Sequence, residues 1–174
     1  RDLHRVDRRQ RQMGIRDRVK SVSEVVREGI QDVRGSLNRL RPGALEGRTL
    51  KDALEKMIRE YQTLSNLQVD LHYEWVDVDM DVMIEDTIFR VIQESMTNAV
   101  RHGHASQMSL HFFEDEEDYL IELQDNGVGF ETLTYGYGLK QMMERISILG
   151  GQLQFESRDG FFTRVSLPKY KEGR

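Results

Sequence analysis

The chain has 174 residues, 38% of them hydrophobic and 32% charged, enough for one well-cored domain and a smaller element. It has no cysteine, which excludes a disulfide scaffold, a thiolate zinc site and a cysteine nucleophile, and no apolar run approaches the roughly 18 residues of a membrane span. The net charge of −5 is uneven, since residues 1–41 hold 12 Lys/Arg against 6 Asp/Glu. Those charges alternate along a helix with few aromatics between them, so they read as a solvated face, and no direct nucleic-acid binding is expected.

Residues 19–40 place Val22, Val26, Ile30, Val33, Leu37 and Leu40 at near-heptad spacing, which predicts a helix with an apolar seam. Pro42 and Gly43 end it. A boundary drawn there gives a helical arm over 1–42 and a domain over 43–174. The seam would leave a large apolar stripe on a monomer, so a homodimer through 19–40 is expected. A second helix is predicted over 49–64, with Leu50, Leu54, Met57, Ile58, Tyr61 and Leu64 on one side. Residues 68–75 alternate as a half-buried strand, and 77–81 form an acidic loop.

A long helix follows over 82–102, then strands over 107–113 and 119–124. Gly136 and Gly138 open an amphipathic helix carrying Leu139, Met142, Met143, Ile146 and Leu149, closed by Gly150 and Gly151. Strands over 152–157 and 161–167 complete the chain. This order predicts an α/β sandwich with helices on one face of a mixed sheet. Trp75 and Phe155 are expected in the core. His72, His104 and His111 are expected without notable partners.

Two stretches carry chemistry. At 100° per residue from Glu94, Asn98 lies at about 40°, Arg101 near −20° and His102 near 80°, so the four share a helix face. Ile88, Ile92, Met96, Ala99 and Val100 take the opposite, apolar side. The face could hold a metal and phosphate, or be an ordinary solvated surface. From Asp125 to Phe130 an acid follows a strand and Gly127 and Gly129 follow the acid. Glycines there allow close approach of a ligand to the backbone, yet Asp-Asn-Gly is also a turn signal by itself. Gly136 and Gly138 free N–H groups at a helix start, which suits phosphate or a simple cap.

Together these stretches, with Gly136 to Lys140 and Gly160 to Thr163 running on to Pro168, resemble the N box, the two glycine boxes and the terminal strand of the GHKL ATPase superfamily. DNA gyrase, the MutL repair proteins and sensor histidine kinases share that domain. The resemblance implies a Bergerat-type two-layer α/β sandwich that binds ATP with Mg²⁺. Asp125, Gly127 and Gly129 would then meet adenine, and Asn98 would ligate the metal. Arg101, His102, Gly136, Gly138 and Leu139 would lie along the phosphates, with Thr163 in the adenine-side water network. Glu94 would act in catalysis.

The ending Leu40-Arg41-Pro42 with Leu45 resembles the NarX/DesK-like sensor kinases that partner helix-turn-helix response regulators. Arg1-Asp2-Leu3-His4 resembles their phosphoacceptor motif, although Arg5 stands where an acid is usual. Residues 131–135 are shorter than the usual nucleotide lid. The implied protein is the cytoplasmic portion of a membrane-anchored receptor, a homodimer that phosphorylates His4 from ATP and passes the group to a response regulator. Two rivals are an anti-sigma-type serine kinase, which lacks such an arm, and a pseudokinase module that dimerises and binds a regulator without chemistry.

Overall fold

The computed structural model describes residues 49–169 apart from Asp77 and Asp79. The arm over 1–42, its seam and His4 lie outside the described residues. Helix α1 (Leu50–Leu64) starts at a capping box, in which the Thr49 hydroxyl accepts from the Asp52 N–H at 3.2 Å. Such reciprocal capping satisfies N–H groups that the first turn leaves without partners. Leu50, Leu54, Met57, Ile58 and Tyr61 are buried, as their spacing predicts, whereas Leu64 in the last turn is 50% exposed.

Strand β1 (Gln68–Tyr73) stops before Trp75, two residues short of the expected strand. Trp75 is buried all the same, and its indole N–H donates to the Phe113 carbonyl at 2.6 Å. Helix α2 (Val82–Arg101) is capped by Asp81, whose side chain accepts from the Met83 N–H at 2.7 Å. Strands β2 (Gln107–Glu114) and β3 (Asp118–Asp125), helix α3 (Tyr137–Ile148), and strands β4 (Gln152–Ser157) and β5 (Phe161–Pro168) follow. The predicted order of elements is the observed one.

The sheet order is β1-β2-β3-β5-β4, with β1 parallel to β2 and the other neighbours antiparallel. The parallel pair needs a crossover, and α2 supplies it. β5 lies between β3 and β4, so the chain leaves β3, crosses with α3 to the edge strand β4 and folds back. Leu110, Phe112, Ile121, Leu123, Val165 and Leu167 are buried on the sheet. Ile88, Ile92, Met96, Met142 and Ile146 are buried on the helices, α2 packing against both α1 and α3.

The other face of the sheet is polar and tied by cross-strand pairs such as Arg164 with Glu122. Two histidines there correct the expectation that they lack partners. Nε2 of His111 meets Glu74 at 2.8 Å and Nε2 of His72 meets Asp70 at 3.0 Å. Phe155 is half-buried, in contact with the rings of Phe161 and Tyr135 rather than sunk in the main core. Among the described residues no helix is long and apolar enough to cross a membrane.

Candidate functional site

The polar face of α2 opens over its last two turns. Thr87 and Val91, on the same side further back, are buried, whereas Glu94 and Asn98 are half-buried and Arg101 and His102 are exposed. Val100, expected on the apolar side, is half-exposed. The open face is flanked on both sides. Towards α3, the Ser95 hydroxyl reaches the Met142 sulfur at 3.9 Å. Towards α1, the Thr97 hydroxyl meets that of Tyr61 at 2.6 Å.

The far end of α2 joins the glycine turn. The Asn98 carbonyl accepts from the N–H groups of His102 and Gly103 at 2.8 and 3.0 Å, which stops the helix. Gly103 is buried and its carbonyl accepts from the Val128 N–H at 2.8 Å. A Cβ on Gly127 would run into that carbonyl, so a residue without a side chain is needed for the turn to lie on the helix end. Asn126 fastens the contact, its Oδ1 accepting from the Ser106 and Gln107 N–H groups at 2.9 Å each. In sequence, Asn126 is only part of an Asp-Asn-Gly turn signal.

Asp125 closes β3 on the helix-covered face and is 6% exposed. Its Oδ1 accepts from the N–H of Gly127 at 2.8 Å and of Phe161 at 3.2 Å. Oδ2 has no hydrogen-bond partner among the described residues, yet no side-chain polar atom there is both fully enclosed and unpaired. Oδ2 therefore looks into an opening. Burial raises the Asp125 carboxyl above its ordinary value, the two N–H groups opposing the shift. Thr163 is buried on the same face, paired across β3–β5 with Leu123, two residues from Asp125.

Gly160 runs at φ +138° with its Cα against the Asp125 carbonyl, a conformation open to glycine. Gly129 lies against Ser157, whose hydroxyl accepts from the Phe130 N–H at 3.0 Å. Neither Gly160's contact nor Ser157 was visible in the local sequence, because their partners come from strands about thirty residues away.

Helix α3 begins at Gly136 without a side-chain cap, so its first N–H groups stay available to an anion. Gly138 lies against the Glu94 carboxylate and Leu139 is half-buried behind it. The fold thus gathers Glu94 with Gly138, and Asp125 with Gly127 and Thr163. Gly136, Arg101 and His102 are exposed. His4 falls outside the described residues.

This set can accept from a ring amine at Asp125 Oδ2, take phosphate oxygens at the α3 N–H groups and offer an amide oxygen at Asn98. Among the described residues no three His, Cys, Asp or Glu side chains gather to hold a metal. An ion at Asn98 would draw most of its ligands from phosphate and water, the habit of Mg²⁺.

A family model for histidine kinase-, DNA gyrase B- and HSP90-like ATPases matches residues 83–171. The chain is 35% identical over 147 residues to the signal transduction histidine-protein kinase/phosphatase UhpB of Salmonella typhimurium, covering 81% of this chain and 29% of that protein. It is 29% identical to the sensor histidine kinase LiaS of Bacillus subtilis, covering 86% and 42%. The chain thus spans less than half the length of these curated relatives. Among solved structures, the Acinetobacter baumannii histidine kinase AdeS aligns with a TM-score of 0.61 at 20% identity, covering 70% of this chain and 65% of that one. The ATP-binding domain of PrrB from Mycobacterium tuberculosis aligns at 0.58 and 20%, covering 69% and 93%. These two likenesses establish the fold.

Proposed function

The chain belongs to the family of histidine kinase-, DNA gyrase B- and HSP90-like ATPases, and from that premise we propose that it is the catalytic portion of a sensor histidine kinase. Asp125 and the glycine backbones at 127 and 129 receive adenine, with Thr163 beside them. Asn98 would supply one oxygen to Mg²⁺, while the α3 N–H groups at Gly136 to Leu139 and the exposed Arg101 and His102 would meet the phosphates. Glu94 orients the attacking imidazole or a metal-bound water. The acceptor is His4, in a homodimer of the NarX/DesK-like kind, and the phosphoryl group goes on to an aspartate of a helix-turn-helix response regulator. The receptor would be membrane-anchored through a sensor region, with this portion cytoplasmic.

The carrying observation is Asp125, a buried carboxylate with one oxygen fixed by two backbone N–H groups and the other left for a donor. The named relatives are sensor kinases, which favours this reading over the serine-kinase and pseudokinase rivals. The similarity covers more of the chain than residues 43–174 contain, so it reaches into the arm.

The test is incubation with γ-labelled ATP and Mg²⁺. An acid-labile, base-stable phosphoprotein is expected in the parent, lost in both Asp125→Asn and His4→Ala, with nucleotide binding kept in His4→Ala. Labelling of His4→Ala at the parent rate would remove His4 as acceptor. An acid-stable product would point to a serine kinase.

A further inference from the structure

Tyr61 lies on α1, outside residues 83–171 that the family model matches, and is 1% exposed. Its hydroxyl sits 2.6 Å from the Thr97 hydroxyl and 3.4 Å from the Gln93 carbonyl. The Thr97 hydroxyl also lies 2.8 Å from that carbonyl, so two hydroxyls and one carbonyl form a single hydrogen-bonded cluster in which either hydroxyl can donate to the other. The three groups tie α1 to α2 at the turn holding Glu94 and Asn98, each a direct chain neighbour of a tied residue. Apolar packing alone sets the depth of a helix better than its rotation, since it is non-directional. A hydrogen bond has direction.

We infer that Tyr61 is a positioning residue, fixing the rotation of α2 through Thr97 and so the aim of Glu94 and Asn98. The inference rests on the kinase reading for its kinetic consequence. Side chains reach about 5–6 Å from a helix axis, so a turn of about 10° carries the Glu94 carboxylate by about 1 Å. A displacement of that size can cost on the order of a hundredfold in rate. Thr97 matters here by its hydroxyl, although that hydroxyl points to α1 and not to the nucleotide side.

The test compares the full-length chain with Tyr61→Phe, Thr97→Val and the double variant, each keeping the buried shape. The expected result is labelling from γ-labelled ATP at least about tenfold slower in each single variant and no slower in the double, because one unit has been broken twice. Affinity for a fluorescent ATP analogue should stay within about twofold, while the melting midpoint falls by a few degrees, as the loss of one buried hydrogen bond requires. A labelling rate within twofold of the parent overturns the inference, as do losses that multiply in the double variant. So does a rate loss matched by an equal loss of affinity, since that is the mark of general destabilisation. If the parent itself does not label, the kinase reading fails, and the Asn98 side-chain amide signal in protein labelled with ¹⁵N-asparagine decides. Its displacement by Tyr61→Phe, with the Asn126 signal unmoved, supports positioning. An unmoved Asn98 signal overturns it.

Discussion

Strand β3 is bounded by two aspartates that make the same hydrogen bonds and end in opposite electrostatic states. Before it, Oδ1 of Asp115 accepts from the N–H groups of Glu117 and Asp118 at 2.9 and 2.8 Å. At its last residue, Oδ1 of Asp125 accepts from the N–H groups of Gly127 and Phe161 at 2.8 and 3.2 Å. Asp115 is exposed, and those bonds hold its carboxyl below the ordinary value. Asp125 is buried, and loss of water outweighs the same kind of bond, so its carboxyl is raised. A tight turn needs only the first arrangement. Keeping a carboxylate in the second, with an oxygen unpaired, opposes folding unless a donor arrives from outside. Burial without full pairing therefore separates the aspartate proposed to bind nucleotide from the one that merely shapes a turn.

The sharpest way to break that contrast is to neutralise each aspartate. Asp125→Asn keeps an oxygen for the two N–H groups but places an amide donor where the proposed adenine amine would donate. ATP affinity should fall by about a hundredfold, on the scale of about 3 kcal/mol for a lost bond to a charged group. The melting midpoint should hold or rise, because a desolvated charge is gone. Asp115→Asn should leave affinity untouched. Calorimetric titration with thermal melts checks both, and equal affinity losses would erase the distinction.

A smaller effect is expected from Gly127→Ala. The added Cβ meets the Gly103 carbonyl, which is backbone and has little room to yield. A loss of roughly 1–3 kcal/mol in unfolding free energy is expected, with weakened ATP binding. A fully stable variant with parent affinity would show that the turn and the end of α2 do not have to touch.

The smallest effect is on pH dependence, and the two aspartates should differ in sign. A raised carboxyl binds its proton more tightly folded than unfolded. The Asp125 contribution to stability is therefore present below the ordinary carboxylate range and lost as pH rises through its raised value. The lowered Asp115 contributes above that range and loses its contribution as pH falls through its own value. The stability advantage of Asp125→Asn over the parent should thus shrink on acidification. Affinity for ATP runs the other way, because binding uses the charged form, and should start to fall at a pH higher than an exposed aspartate would give. An advantage constant with pH would sink the assignment.

Much of this contrast was out of reach of local pattern. Asp125, Gly127 and Gly129 were legible because acid and glycines follow a strand in sequence, and Glu94 with Asn98 because a helix repeats every 3.6 residues. The partner of the Asp125 Oδ1 at Phe161 was not, nor the seat of Gly127 on Gly103. Asn126 looked like turn chemistry and proved to be the clamp between two loops. Tyr61 looked like one more apolar contact on α1, because a period of hydrophobicity reports where a ring lies and says nothing about its hydroxyl.

The order and type of every described element followed from the sequence, since periods of 2 and 3.6 and the glycine stops are local properties of the backbone. Tertiary structure alone decided that β5 inserts between β3 and β4, which brings the Phe161 N–H to Asp125 and Thr163 to the same face. It likewise placed Gly138 against Glu94 and left one oxygen of Asp125 open. Strand register and helix rotation are set by contacts between residues tens of positions apart. No window along the chain contains both partners, so the chemistry of the site exists only once the sheet has closed.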